Sequence, residues 1–298
     1  MVRTWMLVVL GACGSVSEKP DAAMGSDTPP PIDGPTDSPT VDAMLGAFGP
    51  PTKIAELSST KEDWGVTLRA DQLEVFFASN RTSSADDIFS ATRATTSAPW
   101  GAPTLVAALS STAFDLQPSL SPDGLTIWFT SNRGGAGFEI MTSVRASLAG
   151  GWSVPVAVPE LNSTADEAPM NVLANGMTMA FTSNRGGNYD IYLATRAGAS
   201  GAWTSTALAM GVNTTGDEFD AQLTQDGLGI YFTTPGSALD LVYAHRASTS
   251  AAFATPVPLT EVLAVGKNEE DLWVSADERT IVFASDRDGT RDLWQATR

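Results

Sequence analysis

An acidic residue recurs along this chain at a nearly constant interval: Asp63, Asp115, Glu167, Glu218 and Glu269, separated by 52, 52, 51 and 51 residues. Carboxylates in such a series can neutralise cations of the protein itself, coordinate a hard metal ion, or act in pairs as acid and base on a glycosidic bond. A second series runs in step with the first. It places Asn80-Arg81, Asn132-Arg133, Asn184-Arg185 and Asp286-Arg287 after an aromatic-Ser/Thr strand end, within reach of an acid of the same or a neighbouring repeat. A repeated acid–arginine ion pair that fixes loop geometry accounts for most of these residues, because a residue present in every repeat serves the repeat.

The fourth copy departs from the pattern. Pro235-Gly236 stands where the others have Asn-Arg, while Asp217, Glu218 and Asp220 crowd its first segment and Glu269, Glu270 and Asp271 crowd the next. This under-neutralised sector is expected to bind a cation such as Ca²⁺, with Glu218 and Asp220 as metal ligands, or else a basic or hydroxyl-rich ligand. Asp63, Asp115 and Glu167 are expected to be structural, and no other cofactor is implied.

Other chemistry is poorly provided for. His245 is the only histidine, at the end of a strand beside Arg246, so a Ser-His-Asp or Cys-His constellation has no positioned base. Cys13 is the only cysteine, which excludes an intrachain disulfide and a cysteine-based zinc site. The formal net charge of -17 repels nucleic-acid phosphates, and the basic residues form no stripe that would offset it.

The elements that must position these residues follow from the repeat itself. Each copy opens with a short strand leading into a turn such as Pro122-Asp123-Gly124, Asn175-Gly176 or Asp226-Gly227. A β-branched and aromatic strand follows, as in Thr126-Ile127-Trp128-Phe129-Thr130, ending in the Ser-Asn-Arg loop. A third strand starts at an acid (Asp87, Glu139, Asp190, Asp240, Asp292) and ends at an arginine (Arg93, Arg145, Arg196, Arg246, Arg298). Then come an aromatic residue (Trp100, Trp152, Trp203, Phe253) and a fourth strand such as Pro155-Val156-Ala157-Val158.

Four short antiparallel strands per unit, five times over, make an all-β fold: a single five-bladed β-propeller. The fifth copy stops at Arg298, before a fourth strand, and Phe48 to Thr60 parallels Trp100 to Thr112. The N-terminal strand is therefore expected to complete the last blade and close the ring, leaving no open sheet edge. In a propeller the first strand lines the axis, so the five repeated acids are expected to ring one mouth of the channel. Trp100, Trp152 and Trp203 are read as packing between blades, and Trp64 and Trp273, on first strands, as better candidates for the channel wall.

The runs Ser121-Pro122-Asp123-Gly124, Ile127-Trp128-Phe129-Thr130-Ser131-Asn132-Arg133-Gly134-Gly135 and Asn188-Tyr189-Asp190-Ile191-Tyr192 resemble the WD-like propeller repeat of the TolB family. The resemblance covers all five blades but not the separate N-terminal α/β domain of TolB. It implies a secreted binding propeller, though the same repeat also occurs in propellers of prolyl-type peptidases.

Ahead of the repeats, Arg3, the apolar run Trp5 to Leu10 and the small residues Gly11-Ala12 before Cys13 read as an export signal, and Leu10-Gly11-Ala12-Cys13 resembles the bacterial lipobox. That implies cleavage before Cys13 and lipidation on it. The expected organisation is a signal at 1–12, a Pro/Asp/Ser/Thr-rich tether at 13–45 and a propeller at 46–298.

Function is expected to be that of a non-catalytic scaffold at the cell envelope, a monomeric disc meeting envelope proteins or glycans and touching the membrane only through its lipid. A furanosidase using axial carboxylates is the alternative.

Overall fold

The structure is a computed structural model that describes residues 46–135, 137–236 and 238–298. The signal, Cys13 and the tether lie outside the described residues.

Among the described residues, twenty strands form five four-stranded antiparallel sheets. The first is β2 (Asp63–Leu68), β3 (Glu74–Ser79), β4 (Asp87–Thr92) and β5 (Thr104–Leu105), and the second β6 (Asp115–Leu120), β7 (Thr126–Ser131), β8 (Glu139–Val144) and β9 (Val156–Ala157). The third is β10 (Glu167–Val172), β11 (Thr178–Ser183), β12 (Asp190–Thr195) and β13 (Ser205–Leu208), and the fourth β14 (Phe219–Leu223), β15 (Gly229–Pro235), β16 (Leu239–His245) and β17 (Val257–Pro258). The fifth joins β18 (Glu269–Val274), β19 (Thr280–Ser285) and β20 (Asp292–Thr297) to β1 (Thr52–Lys53) from the other end of the chain. This is the five-bladed, all-β propeller that the repeat predicts.

Ring closure takes the expected form. Thr52 lies opposite Gln295 and Lys53 opposite Trp294. Backbone bonds from Gly49 N to Thr297 O and from Ile54 N to Leu293 O, each 2.8 Å, extend the seam beyond the two paired residues.

The aromatic residue of each second strand is the centre of its blade. Phe77, Phe129, Phe181, Phe232 and Phe283 are all at most 1% exposed. The apolar faces of neighbouring sheets meet over them, as where Trp128 and Ile140 of blade two join Val172, Met179 and Phe181 of blade three in one cluster. Burial of these rings supplies the main driving force, about 1.5–3 kcal/mol for each fully buried large side chain.

The arginine that directly follows each third strand is a structural pin. Arg93, Arg145, Arg196, Arg246 and Arg298 stack on Trp100, Trp152, Trp203, Phe253 and Phe48 at 4.2–4.6 Å. Each Nε also donates to a carbonyl of the turn between the first two strands, as from Arg145 to Gly124 O at 2.7 Å. The three repeated tryptophans thus pack beneath arginines. Phe48, at the other end of the chain, fills the same slot for blade five.

Candidate functional site: the axial channel

The repeated acids do not ring an open mouth. Asp63, Asp115, Glu167, Glu218 and Glu269 are each at most 1% exposed and line neither axial cavity. Four of them are tied to the arginine of their own blade: Asp63 to Arg81, Asp115 to Arg133 at 2.5 Å, Glu167 to Arg185 at 3.1 Å and Glu269 to Arg287 at 3.0 Å. Each of these guanidiniums lies over the blade's central phenylalanine and reaches a backbone carbonyl, so its position is over-determined. The neighbouring Asn80, Asn132, Asn184 and Asp286 accept the backbone N–H of the residue just before the acid. The acid and the Asn/Asp-Arg pair are one loop-fixing unit, as the repetition implies.

In blade four the unit is incomplete. Gly236 stands at the arginine position, and Glu218 is held by the backbone N–H of Thr214 at 2.9 Å and by its hydroxyl. Burial pushes the Glu218 carboxyl above its usual range, and the charges of Asp190 and Asp217 add to the effect. Asp217 itself accepts the Tyr189 backbone N–H across the blade boundary at 2.9 Å. Asp166 does the same for Phe138, and Asn268 for Leu239, so Asp217 belongs to an inter-blade clasp.

The side chains that meet on the axis stand two residues after the repeated acids. Every first strand loses register with its neighbour there, at Trp64/Thr67, Leu116/Ser119, Pro169/Asn171, Phe219/Gln222 and Glu270/Trp273. The residues at the bulge are Gly65, Gln117, Pro169, Asp220 and Asp271, and together they line a cavity of about 20 Å³. Four of them have positive φ: Gly65 at 60°, Gln117 at 43°, Asp220 at 57° and Asp271 at 54°. Such angles are uncommon for residues other than glycine. A bulge re-aims side chains, and here it points them at the centre.

Gln117 Nε2 donates to Asp220 Oδ1 at 3.1 Å and to Asp271 Oδ1 at 3.3 Å, and Asp271 N donates to Asp220 Oδ2 at 3.2 Å. Glu270 lies beside them, one oxygen of each of the three acids falling within 4.8 Å of the others. Glu270 occupies a repeat position that Trp64, Leu116, Ala168 and Phe219 fill elsewhere. The Arg291 guanidinium, 2.6 Å away, makes that substitution tolerable. Burial drives all three carboxyls up, Glu270 to about 8; the charges of Asp271 and Glu270 add to the rise at Asp220 and that of Asp271 to the rise at Glu270, while Arg291 pulls Glu270 and Asp271 back and the hydrogen bonds with Gln117 and Asp220 lower Asp271 further.

The structure therefore brings Asp220, Glu270 and Asp271 together and leaves Glu218, Glu269 and Asp217 outside the group. Gln117 was not legible as a site residue. Its signal is that it shares one repeat position with both aspartates.

A larger cavity, about 180 Å³, opens at the other mouth, among the turns between first and second strands. Its inner ring is again one repeat position: Thr67, Ser119, Asn171, Gln222 and Trp273. Among the described residues, no ionisable side chain lines it. Part of the polar lining is spent on blade-to-blade bonds, with Asn171 bonding both the N–H and the C=O of Leu223 and Thr67 accepting from Leu120 N. Trp273 forms the aromatic wall, as read from sequence. Trp64 does not reach the channel; its Nε1 donates to Asp86 and its ring lies under Arg291. His245, opposite Gly229 at the end of β16, lines neither cavity.

Among solved structures, TolB from Acinetobacter baumannii superposes with a TM-score of 0.53 at 16% identity, over 82% of this chain and 56% of that one. The propeller is TolB-like in fold. The chain spans little more than half the length of that TolB protein. Two carbohydrate-active enzymes superpose equally well: the endo-arabinase of Bacteroides thetaiotaomicron, with a TM-score of 0.57 at 11% identity over 85% of this chain and 98% of that one, and the catalytic domain of the GH62 α-L-arabinofuranosidase of Coprinopsis cinerea, with 0.54 at 11% over 89% and 93%. No protein-family model and no curated protein sequence matches the chain. At these identities the likeness is one of architecture, which many functions share.

Proposed function

We propose that this chain is a non-catalytic binding propeller of the cell envelope that receives an uncharged, hydroxyl-bearing ligand, one residue of a glycan, at the turn-face mouth of its channel. One observation carries this reading: the 180 Å³ cavity draws on all five blades, offers an indole wall and hydroxyl and amide groups, and contains no charge. An aromatic face with neutral polar groups around it suits a sugar ring, and the volume suits one ring rather than a long ligand. The net charge of -17 directs the protein away from nucleic acids. The lipobox-like Leu10-Gly11-Ala12-Cys13 supports export and a lipid anchor at Cys13, with the propeller acting as a monomer and touching the membrane only through that anchor.

Calorimetric titration of soluble envelope oligosaccharides into the purified chain tests the binding claim. Binding that disappears in Trp273→Ala and persists in Trp100→Ala is the expected result, and silence across the panel overturns it. Loss of membrane association in Cys13→Ala tests the anchor separately.

The fold likeness to arabinan-acting enzymes favours a second reading, a furanosidase. Glycoside hydrolysis needs two carboxyls about 5–9.5 Å apart on either side of an open sugar site. The clustered acids here surround only about 20 Å³, which speaks for binding over hydrolysis. Release of reducing sugar from arabinan would reverse that preference.

A further inference from the structure

We propose that Asp220, Glu270 and Asp271, with the amide of Gln117, form a binding site for one divalent cation, Ca²⁺, on the propeller axis. Three observations converge. First, one oxygen from each acid lies within 4.8 Å of the others, and Ca²⁺–oxygen bonds of about 2.3–2.6 Å span that separation from a common centre. Second, two carboxylate oxygens of the group, Glu270 Oε2 and Asp271 Oδ2, have no hydrogen-bond partner although their residues are 0% and 5% exposed, and Gln117 Oε1, on the far side of the amide that faces them, has none either. Buried polar atoms of this kind are rare, and an ion or a water that the protein takes up is a common reason for them. Third, the adjoining cavity of about 20 Å³ is the size of one water or one ion.

The charges agree. Three carboxylates face one guanidinium, Arg291, so the ionised cluster carries two uncompensated negative charges in the interior of the protein. One divalent cation cancels them. In the structure the Gln117 Nε2 group stands in for that positive charge, donating to Asp220 and Asp271 together. A half-turn of the amide replaces Nε2 by Oε1 over the same two carboxylates and supplies a fourth oxygen. An all-oxygen set points to Ca²⁺ or Mg²⁺, not to zinc or copper. Mg²⁺ keeps several of its waters, for which a cavity of this size has no room, so Ca²⁺ is the better occupant. The ligands come from blades two, four and five, so the ion ties together blades that are not all neighbours.

The site differs from the pairing of Glu218 with Asp220 that sequence suggests, and it is independent of any ligand at the turn face. Thermal melts of the chelated, purified chain with added CaCl₂ or MgCl₂ read it directly. Ca²⁺ at a hundredfold excess over its dissociation constant should raise Tm by about 5–10 °C, and Mg²⁺ by less.

Asp220→Asn removes a buried negative charge, so the variant should melt no lower than the parent without Ca²⁺ while losing the Ca²⁺-dependent increment. Glu218→Gln should keep that increment. Gln117→Ala, which leaves every carboxylate in place, should reduce the Ca²⁺ affinity about tenfold or more. An unchanged Tm with no heat on titration overturns the proposal. So does a Ca²⁺ response abolished by Glu218→Gln and kept by Asp220→Asn.

Discussion

The Lys53 ammonium lies 2.6 Å from the Asp292 carboxylate, whose side chain is fully buried, and so ties the first strand of the chain to the last. A second contact, to Asp288 at 2.8 Å, holds the same ammonium from the solvent side. The seam they close has only two paired residues, which gives this clasp a larger share of ring closure than a surface ion pair usually has. Lys53→Met should lower stability by about 1 kcal/mol, since Lys53 is partly solvated, and lower Tm by about 2–4 °C. Deleting residues 46–58 should do far more, exposing the β20 edge and producing aggregates visible by size-exclusion chromatography.

The same clasp has a pH signature. The hydrogen bond from Lys53 lowers the Asp288 pKa from 3.8. Burial opposes the charge on Lys53, but hydrogen bonds to Asp288 and Asp292 outweigh it and raise the pKa from 10.5. A depressed carboxyl contributes stability that is complete above its unfolded value and lost as pH falls through the folded one; a raised ammonium contributes below its unfolded value and loses it as pH rises through the folded one. The Tm difference between the parent and Lys53→Met should therefore be flat between roughly pH 5 and 9 and shrink outside that window. A difference that grows below pH 4 would count against the clasp.

Four blades and the fourth differ in what their repeated acid costs to disturb. Arg133→Ala leaves Asp115 buried without its cation and should destabilise the protein by about 3–5 kcal/mol, measured by urea denaturation. Glu218 has no arginine to lose, and burial already favours its protonated form. Glu218→Gln should be within about 0.5 kcal/mol of the parent.

Gly65 is the one position on the axis with no side chain. A Cβ there would stand 3.2 Å from both N and Cα of Gln117, on a backbone with φ of 60°. Gly65→Ala should cost about 1–3 kcal/mol through crowding and strain together. Its Ca²⁺ response should also weaken, because Gln117 is the residue displaced.

Much of this was legible in the residues. The interval between Phe77, Phe129, Phe181, Phe232 and Phe283 predicts five blades, because one buried aromatic per sheet is what lets each sheet pack on the next. The likeness of Phe48 to Trp100 predicts the closing strand; that both rings lie beneath an arginine, Arg298 and Arg93, is seen only in the structure. The recurrence of acid with arginine predicts that they pair, within a blade or across to the next; the structure places each pair within its own blade. These are properties of a single repeat, and a repeat reports on its own interior and its nearest neighbours.

The axis was a different matter. Alternation along a strand assigns faces by parity, and the two-for-one bulge near Gly65, Gln117, Asp220 and Asp271 resets that parity without leaving a mark in composition. The acids that open each first strand were expected at the mouth because a first strand lines the axis, and the residues two places later, where the strand bulges, were found at the centre.

Glu270 shows the same limit: an acid in a slot that is apolar in the other blades gains its meaning only from Arg291, which the fold brings to it. By itself the sequence determined the number of blades, their closure and the pairing of repeated acid with repeated arginine, all short-range consequences of one repeated pattern. Which side chains face one another across the axis was decided by the tertiary structure alone, because that meeting depends on the twist and bulge of five strands at once.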